Sequence, residues 1–380
     1  MRDLNNKENM MKDNSLLKLH ALGQSIWLDY IQRGMLDNGE ITRMIETDGL
    51  AGMTSNPAIF EKAISGQHDY DAAIASQVRT GASARDLYDT LTRDDVGHAA
   101  DLLLPVYEKS GGRDGYVSIE VSPHFAHDCD ATVKEAHELW AQLARPNVMI
   151  KVPGTRAGLP AIQALLAAGV NVNVTLLFGV QRYREVADAF VRGLEQRAAT
   201  GAPLDHVASV ASFFLSRIDT LVDQRLDAMS TGTSRHPLRG AAAIASARLA
   251  YQHYKQWTTG ARWQALAAQG ARSQRLLWAS TGTKDPDYSD VKYVETLIGP
   301  DTVNTLPPDT LAAYRDHGLP ALRLEDDLAV ARELPVQLAG LGIDLEQVSD
   351  ELEADGVKKF IAPFDKLLAA LELRRIELLG

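Results

Sequence analysis

Cysteine and long apolar runs are what this sequence has least of. Cys129 is the one cysteine among 380 residues, which excludes an internal disulfide and a cysteine-rich zinc site, and we interpret it as a small packed residue. No segment approaches the roughly 20 consecutive apolar residues that would cross a bilayer. The polar first residues lack the apolar run of a secretory signal. We therefore expect a frayed tail over residues 1–15 and a cytoplasmic protein.

The balance of charge argues against polyanionic partners. The chain has 39 Lys and Arg against 50 Asp and Glu, a formal net charge of −11. A field of that sign repels polyanions, so we expect neither nucleic acid nor an anionic membrane as a partner. A phosphorylated small molecule would have to meet a local cationic pocket.

Eight short runs of apolar and β-branched residues alternate with longer stretches of helical period. This alternation is typical of βα units around a parallel sheet. The runs lie at residues 25–30, 49–55, 116–121, 148–152, 172–177, 207–213, 275–280 and 302–306. Because eight parallel strands close a barrel, the predicted fold is α/β, a single (β/α)8 TIM barrel with helical insertions and C-terminal helices.

The connections between these runs predict one domain. The clearest helix is 181–197, where apolar residues recur at helical spacing. The long connections at about 58–115 and 221–274, and the C-terminal segment 319–380, also have helical patterns and contain no flexible linker. We expect all of them to decorate a single barrel domain of residues 16–380.

Pro363 interrupts an amphipathic stripe near the C-terminus. Val357, Phe360 and Phe364 belong to that stripe, but a proline within a helix removes a backbone donor. Proline is favoured in the first turn of a helix, where its N–H would have no acceptor. We therefore predict that a new helix begins near Ala362.

Polar side chains stand at or just past the ends of seven predicted strands. In a (β/α)8 barrel the catalytic groups project from the carboxyl ends of the strands. The candidates are Asp29, Asn56, Glu120, Lys151, Thr175, Ser212 and Ser280.

Lys151 carries the strongest chemical signal of this set, because a primary amine at the end of the run Val148 to Val152 has apolar neighbours. Burial disfavours the charged form of an amine, which is the physical route to a nucleophilic lysine that forms an imine with a carbonyl substrate. The alternative is a lysine whose stem packs on the barrel wall and whose head reaches water or a carboxylate.

Glu120 and Asp29 raise a related question, since each carboxylate follows an apolar run. An inward carboxylate is unfavourable unless it is paired, hydrogen-bonded or protonated. General acid/base chemistry beside Lys151 would explain both residues. A buried ion pair with an arginine remains the alternative.

A phosphate site is indicated by two cations after later strands. Arg217 follows Ser212 closely, and Ser280 to Lys284 reads S-T-G-T-K, in the sector where barrels often bind phosphate. This turn lacks the glycine spacing of a P-loop, so a surface turn with a solvated lysine is an equal alternative. No His, Asp and Glu spacing predicts a metal, and no G-x-S-x-G motif is present.

Taken together, these segments resemble the transaldolase family in order from Ser25 to about Gly318. The motifs are SIWLDY, GMTSNPAIF, VSIEVSP, MIKVPGT, NVNVTLLF, ASFFLSRID and LLWASTGTKDP. The ending, with ELEADGVKKF and FDKLLAALE, is similar to the longer bacterial-type branch of that family.

The resemblance implies a class I mechanism without metal or cofactor. Lys151 would form a Schiff base with the C2 carbonyl of a ketose phosphate, Glu120 and Thr175 would position a proton-shuttling water, and Asp29 would take the C4 hydroxyl proton. A dihydroxyacetone unit would then pass to an aldose phosphate, as in the nonoxidative pentose phosphate pathway. The residues that the resemblance assigns to substrate binding are Asn56, Ser212, Phe214, Arg217, Ser280 and Lys284.

One position departs from the family pattern, and two other functions remain open. Lys284 stands where the family has an arginine, and a lysine lacks the planar bidentate fork of arginine. A Schiff-base aldolase that releases dihydroxyacetone to water needs the same lysine. A non-catalytic barrel that binds sugar phosphates is the other alternative. The resemblance leaves both a monomer and a homodimer open.

Overall fold

A computed structural model describes residues 14–66, 68–229 and 235–379 of the chain. Residues 1–13 of the predicted tail lie outside these ranges. The last two residues assigned to the tail have defined positions, because Ser15 begins the first helix and the Asn14 side chain accepts a hydrogen bond from the Leu16 N–H. This is the usual way in which asparagine caps a helix N-terminus.

Eight parallel strands form a closed barrel in chain order, as the sequence predicted. The strands are β1 Gln24–Leu28, β2 Gly52–Thr54, β3 Tyr116–Glu120, β4 Val148–Pro153, β5 Val172–Leu177, β6 Ser209–Phe214, β7 Arg275–Ala279 and β8 Thr302–Leu306. The barrel closes where β1 pairs with β8, with Gln24 opposite Thr302 and Leu28 opposite Leu306. The ends of each predicted run lie within three residues of the ends of its strand.

Sixteen α-helices surround the barrel in the part of the chain that the structure describes. They are α1 Ser15–Ala21, α2 Arg33–Asp37, α3 Glu40–Asp48, α4 Pro57–Gly66, α5 Asp71–Arg79, α6 Ala84–Lys109, α7 Cys129–Leu143, α8 Gly158–Ala168, α9 Val180–Ala199, α10 Ser216–Met229, α11 Ala242–Thr258, α12 Ala261–Ala267, α13 Lys292–Glu295, α14 Pro308–His317, α15 Leu328–Gly340 and α16 Leu345–Leu379. Helix α9 contains the predicted helix 181–197. None of the described helices is long and apolar enough to span a membrane.

The strands are buried on both faces, which is why they read as continuous apolar runs. Trp27 of β1 and Trp278 of β7 are completely buried in one hydrophobic cluster that extends from Leu16 to Leu371. Gly52 allows the backbone of β2 to pack directly against the Trp27 ring, because a Cβ at this position would lie 2.5 Å from that ring. The described residues thus share one continuous hydrophobic core, and the single domain over residues 16–380 stays a prediction.

Helices fill the long connections. Between β2 and β3, the three helices α4, α5 and α6 lie within or at the edge of the predicted insertion 58–115. Between β6 and β7, α10, α11 and α12 occupy the region of the predicted insertion 221–274, of which residues 230–234 lie outside the described ranges. The last two helices, α15 and α16, fall in the predicted segment 319–380.

The prediction of a new helix near Ala362 is wrong. Helix α16 runs without interruption through Pro363. A proline at this position leaves the carbonyl of Lys359 without its usual helical donor. Tertiary packing outweighs that loss, because Phe360 and Phe364 are buried and the Phe364 ring meets Tyr88 of α6 edge to face at 4.9 Å.

Candidate active site

Lys151 and Glu120 stand side by side at the carboxyl ends of β4 and β3, where they are register partners. Their side chains are each 6% exposed, and the Lys151 Nζ lies 4.0 Å from the Glu120 Oε1. The same Nζ donates a hydrogen bond of 3.0 Å to the backbone carbonyl of Ser55, just past β2. The sequence prediction that a lysine amine is buried at a strand end is confirmed, and a carboxylate is its neighbour.

Glu120 is buried without a hydrogen-bond partner. Neither carboxylate oxygen has one among the residues that the structure describes. Burial raises the pKa of Glu120 from 4.5 to about 7, because the Lys151 charge only partly offsets the loss of water and the Asp29 charge adds to the rise. Glu120 can therefore exchange a proton near neutral pH.

Asp29 follows β1 and faces the same region. Its Oδ1 accepts a hydrogen bond of 2.7 Å from Thr54, whose hydroxyl also lies 2.6 Å from that of Thr305 on β8. Burial raises the pKa of Asp29, while the nearby positive charges of Lys151, Arg217 and Lys284 lower it in part. The charges of Lys151, Arg217 and Lys284 therefore lie near enough to Asp29 to act on its pKa.

Thr175 stands at the end of β5, where Pro153 of β4 is its register partner. Its Oγ1 is buried and has no hydrogen-bond partner within the described ranges. The strand is irregular here, because the pairing with β6 shifts between Val174 and Leu177, and Leu176 has a positive φ of 61°. Such a bulge redirects side chains at the rim of a barrel and often lies beside a functional site.

A polar layer that the sequence reasoning missed lies inside the barrel. Asn173 is completely buried, accepts a hydrogen bond of 2.7 Å from the Ser212 hydroxyl and donates one of 3.0 Å to the Ser118 hydroxyl. It is the register partner of Lys151. The signal was available, because Asn173 and Thr175 are two residues apart and so project from the same face of a strand.

Thr54 is the second residue that the sequence reasoning missed. It is 1% exposed and holds the Asp29 carboxylate toward the barrel interior. Asn56, which the sequence did single out, lies two residues further on and is partly buried. Its Oδ1 accepts the Ile59 N–H at 3.0 Å, so this oxygen caps α4.

Arg217 begins the cationic side of the site. It is partly buried in the first turn of α10, and its NH1 has no hydrogen-bond partner in the described part of the chain. Its guanidinium lies 5.5 Å from the ring centroid of Phe214, which is 7% exposed and packs against Phe178. Burial lowers the pKa of Arg217, against the opposing effects of Asp355 and Asp29.

Ser280 and Lys284 complete the predicted set. The Ser280 hydroxyl lies 2.8 Å from that of Ser216, one residue before Arg217, and Ser280 has a positive φ of 54°. Lys284 is exposed, yet its charge acts on Asp29. The two later predictions thus fall on the same side of the barrel as Arg217, although Lys284 is the most solvated of the cations.

This arrangement can carry out covalent chemistry on a carbonyl compound. A buried amine lies beside a carboxyl group that can gain or lose a proton near pH 7, with a second carboxylate and the cationic side chains of Arg217 and Lys284 close by. The fold and the site place the chain in the class of (β/α)8 barrels that carry a buried lysine beside a carboxyl group at the carboxyl end of the strands.

Comparison with known proteins narrows this class. The model of the family described as transaldolase/fructose-6-phosphate aldolase matches residues 26–371. Transaldolase 2 of a Nostoc species is 50% identical over 372 residues, covering 95% of this chain and 98% of the relative. Transaldolases of Thiobacillus denitrificans and Mycobacterium leprae are 48% and 46% identical, covering 96% and 94% of this chain and 99% and 96% of the relatives. The chain belongs to the transaldolase/fructose-6-phosphate aldolase family.

Proposed function

We propose that the protein is a transaldolase that moves a dihydroxyacetone unit from a ketose phosphate to an aldose phosphate through a Schiff base on Lys151. The proposed reaction interconverts sedoheptulose 7-phosphate and glyceraldehyde 3-phosphate with erythrose 4-phosphate and fructose 6-phosphate. The observation that carries the proposal is the buried Lys151 amine 4.0 Å from the Glu120 carboxyl group. A purely structural ion pair gives no reason for a carboxyl group with both oxygens unpartnered.

Schiff-base formation is the first step of this mechanism. The Lys151 amine attacks the C2 carbonyl of the ketose phosphate, and loss of the C2 oxygen as water requires a proton. Glu120 supplies that proton through a water held between its carboxyl group and the Thr175 hydroxyl. The unpartnered buried oxygens of these two side chains support this role, because they are groups that a bound water would satisfy. Hydrolysis of the imine reverses the same transfers.

Carbon–carbon bond cleavage is the second step. The Asp29 carboxylate takes the C4 hydroxyl proton, the C3–C4 bond breaks, and its electron pair moves to the imine nitrogen to give an enamine. The aldose phosphate leaves as an aldehyde. A raised pKa supports this role of Asp29, because it makes the ionised carboxylate a stronger base. Addition of the enamine to a second aldose phosphate returns the proton from Asp29.

The remaining site residues bind the substrate in this proposal. Asn56 and Ser212 hold the hydroxyl groups of the dihydroxyacetone unit, and Phe214 lines the pocket. Arg217, Ser280 and Lys284 bind the phosphate group. The unpartnered NH1 of Arg217 supports the phosphate site, because a buried guanidinium calls for an anionic partner. The mechanism uses side chains of this chain only. We propose that the protein acts in the nonoxidative pentose phosphate pathway and in the cytoplasm.

A transfer assay tests the proposal. The purified protein is given fructose 6-phosphate and erythrose 4-phosphate, and both sedoheptulose 7-phosphate and free dihydroxyacetone are measured. We expect one sedoheptulose 7-phosphate for each fructose 6-phosphate consumed, and little free dihydroxyacetone. Free dihydroxyacetone formed as fast as the transfer product would instead identify a Schiff-base aldolase. Binding of fructose 6-phosphate without either product would identify a non-catalytic barrel.

A further inference from the structure

Helix α16 lies over the carboxyl end of the barrel. A Cβ at Gly356 would lie 2.9 Å from the Leu176 side chain and 3.6 Å from the Phe178 ring, so the helix backbone rests directly on the end of β5. Glu353 pairs with Arg182 of α9 at 3.3 Å. Further along, Phe364 packs on Tyr88 of α6. The helix therefore crosses the end of the barrel that carries Lys151.

One face of α16 is fixed by ion pairs at two points. Glu351 pairs with Arg225 of α10, and Lys366 pairs with Glu61 of α4 at 2.8 Å. Residues 351, 355, 359, 362 and 366 recur at helical spacing and so share one face. The middle of this face, around Lys359, spans the distance from α10 to α4. Helix α10 begins at Ser216, next to Arg217, and α4 begins at Pro57, next to Asn56, so both begin at the rim of the site.

Asp355 and Lys359 form an ion pair on that middle stretch. The Lys359 Nζ lies 2.6 Å from the Asp355 Oδ2, and the two side chains are 57% and 40% exposed. The Asp355 charge also acts on the partly buried Arg217 guanidinium. An exposed i,i+4 pair is weak, so an arriving anion competes for Lys359 easily. Asp355 thus connects two cations, because it pairs with Lys359 and its charge acts on Arg217, a residue of the proposed phosphate site.

We propose that Lys359 is an additional phosphate-binding residue and that it joins Arg217 on the phosphate group of the sugar, leaving Asp355 when the substrate enters. The inference rests on the proposed function, because it takes the anion to be the phosphate of the donor or acceptor sugar. It also accounts for how an acidic chain with a net charge of −11 presents a cationic pocket. The phosphate then bridges the barrel wall and α16.

Phosphate affinity of the full-length protein tests the role of Lys359 independently of turnover. Inorganic phosphate is titrated calorimetrically into wild type, Lys359→Ala and Lys358→Ala. Lys358 is the matched control, since it is also exposed but points about 100° away around the helix. We expect the dissociation constant to rise about 3–10-fold in Lys359→Ala and to stay unchanged in Lys358→Ala. Asp355→Asn is expected to tighten binding. Equal affinities in the two lysine variants would overturn the inference.

Kinetics connect this site to the substrate. In Lys359→Ala we expect KM to rise for fructose 6-phosphate and erythrose 4-phosphate, while kcat is retained. The KM for unphosphorylated fructose should not change. A rise for one phosphorylated sugar alone would identify which sugar the residue binds. A KM equal to that of Lys358→Ala for both would overturn the inference.

The failure of this inference is distinguishable from failure of the proposed function. Borohydride treatment of the wild type with unphosphorylated dihydroxyacetone reports imine formation at Lys151 without any phosphate. If Lys151 is labelled and the Lys359→Ala and Lys358→Ala variants have the same phosphate affinity and the same KM, only the role of Lys359 is overturned. If Lys151 is not labelled, the proposed function is overturned. A weaker phosphate affinity in Lys359→Ala would then show an anion site that does not serve this reaction, so the proposed role of Lys359 is overturned as well.

Discussion

At the scale of single residues, the chemistry depends on charges that the barrel end brings out of water. Glu120 has a pKa raised to about 7, and its two oxygens have no hydrogen-bond partner in the described ranges. The group therefore destabilises the folded protein whenever it is ionised. The proposed proton transfer gives a reason for a carboxyl group at this position, because an apolar residue in its place would pack without that penalty.

The raised pKa of Glu120 predicts how stability depends on pH. The folded protein binds more protons at this group than the unfolded chain between pH 4.5 and about 7, so its contribution falls as pH rises through that window. Glu120→Gln removes the effect. We expect the stability of the variant relative to wild type to increase by up to about 3 kcal/mol between pH 4.5 and pH 8, measured by urea unfolding. A difference that stays constant over this range would contradict the account.

Lys284 and Lys151 are expected to differ in kinetics, because the proposed mechanism assigns a remote phosphate to Lys284 and the covalent bond to Lys151. Lys284→Ala should raise KM for fructose 6-phosphate with a small change in kcat, whereas Lys151→Ala should abolish turnover. Lys284→Arg serves as the matched control and should keep KM at or below the wild-type value. Normal turnover in Lys151→Ala, or a lost kcat with unchanged KM in Lys284→Ala, would refute these roles.

The sequence predicted most of these residues and missed two for a physical reason. Lys151 and Glu120 were identifiable because a charge at the end of an apolar run stands out. Thr54 and Asn173 lie inside the runs, where a small polar residue is compatible with ordinary packing. Their roles follow from hydrogen bonds to Asp29 and Ser212 on other strands, which a single strand does not encode.

At the scale of elements, α16 joins the C-terminal segment to the end of the barrel. Gly356 makes this possible, because any side chain there would meet Leu176. The sequence predicted helix in this region but not its continuity through Pro363. Helical propensity alone favours a break at a proline, whereas burial of Phe360 and Phe364 against the rest of the protein holds the helix together.

Two glycine substitutions test how closely α16 packs on the end of the barrel. Gly356→Ala adds a methyl group 2.9 Å from Leu176 and should lower the free energy of unfolding by about 1–3 kcal/mol and reduce kcat/KM. Gly340→Ala in α15, where a Cβ meets nothing within 4 Å, should be neutral or stabilise by up to about 1 kcal/mol with full activity. Equal effects of the two substitutions on denaturation midpoints and on activity would contradict this view of α16.

At the scale of the whole molecule, the two ends of the barrel do different work. The amino end is closed by a buried ion pair of 2.9 Å between Arg275 of β7 and Asp114, joined by the Ser25 hydroxyl. Burial raises the pKa of Asp114, but the Arg275 charge and the hydrogen bonds outweigh that effect and leave it below its ordinary value. The carboxyl end holds Lys151. In (β/α)8 barrels the residues at the amino ends of the strands usually stabilise the fold, and those at the carboxyl ends form the active site.

This division predicts that the ion pair can be broken without loss of function. Asp114→Ala leaves the Arg275 charge buried and unpaired, so we expect unfolding to become easier by about 3–5 kcal/mol with unchanged KM at a temperature where the variant is folded. Lys255→Ala breaks a half-exposed pair with Glu325 and should change stability by less than about 1 kcal/mol. Urea titrations and steady-state kinetics on both variants check this, and a changed KM in folded Asp114→Ala would contradict it.

The barrel itself was predictable from one sequence, since eight apolar runs with helical connections leave few other folds. Contacts between distant residues were not. Asp114 and Arg275 precede or begin strands that are far apart in the chain, and nothing in either segment indicates the other. The same holds for Lys366 and Glu61, which fix α16 to α4.

The central claim is that Lys151 forms the covalent bond to the substrate. It is tested by incubating the protein with fructose 6-phosphate, reducing with borohydride and mapping the modified peptide by mass spectrometry. We predict a single dihydroxyacetone-derived adduct on Lys151, within the peptide that contains MIKVPGT, and none in Lys151→Ala. An adduct on another lysine, or no adduct in the wild type, would contradict the account.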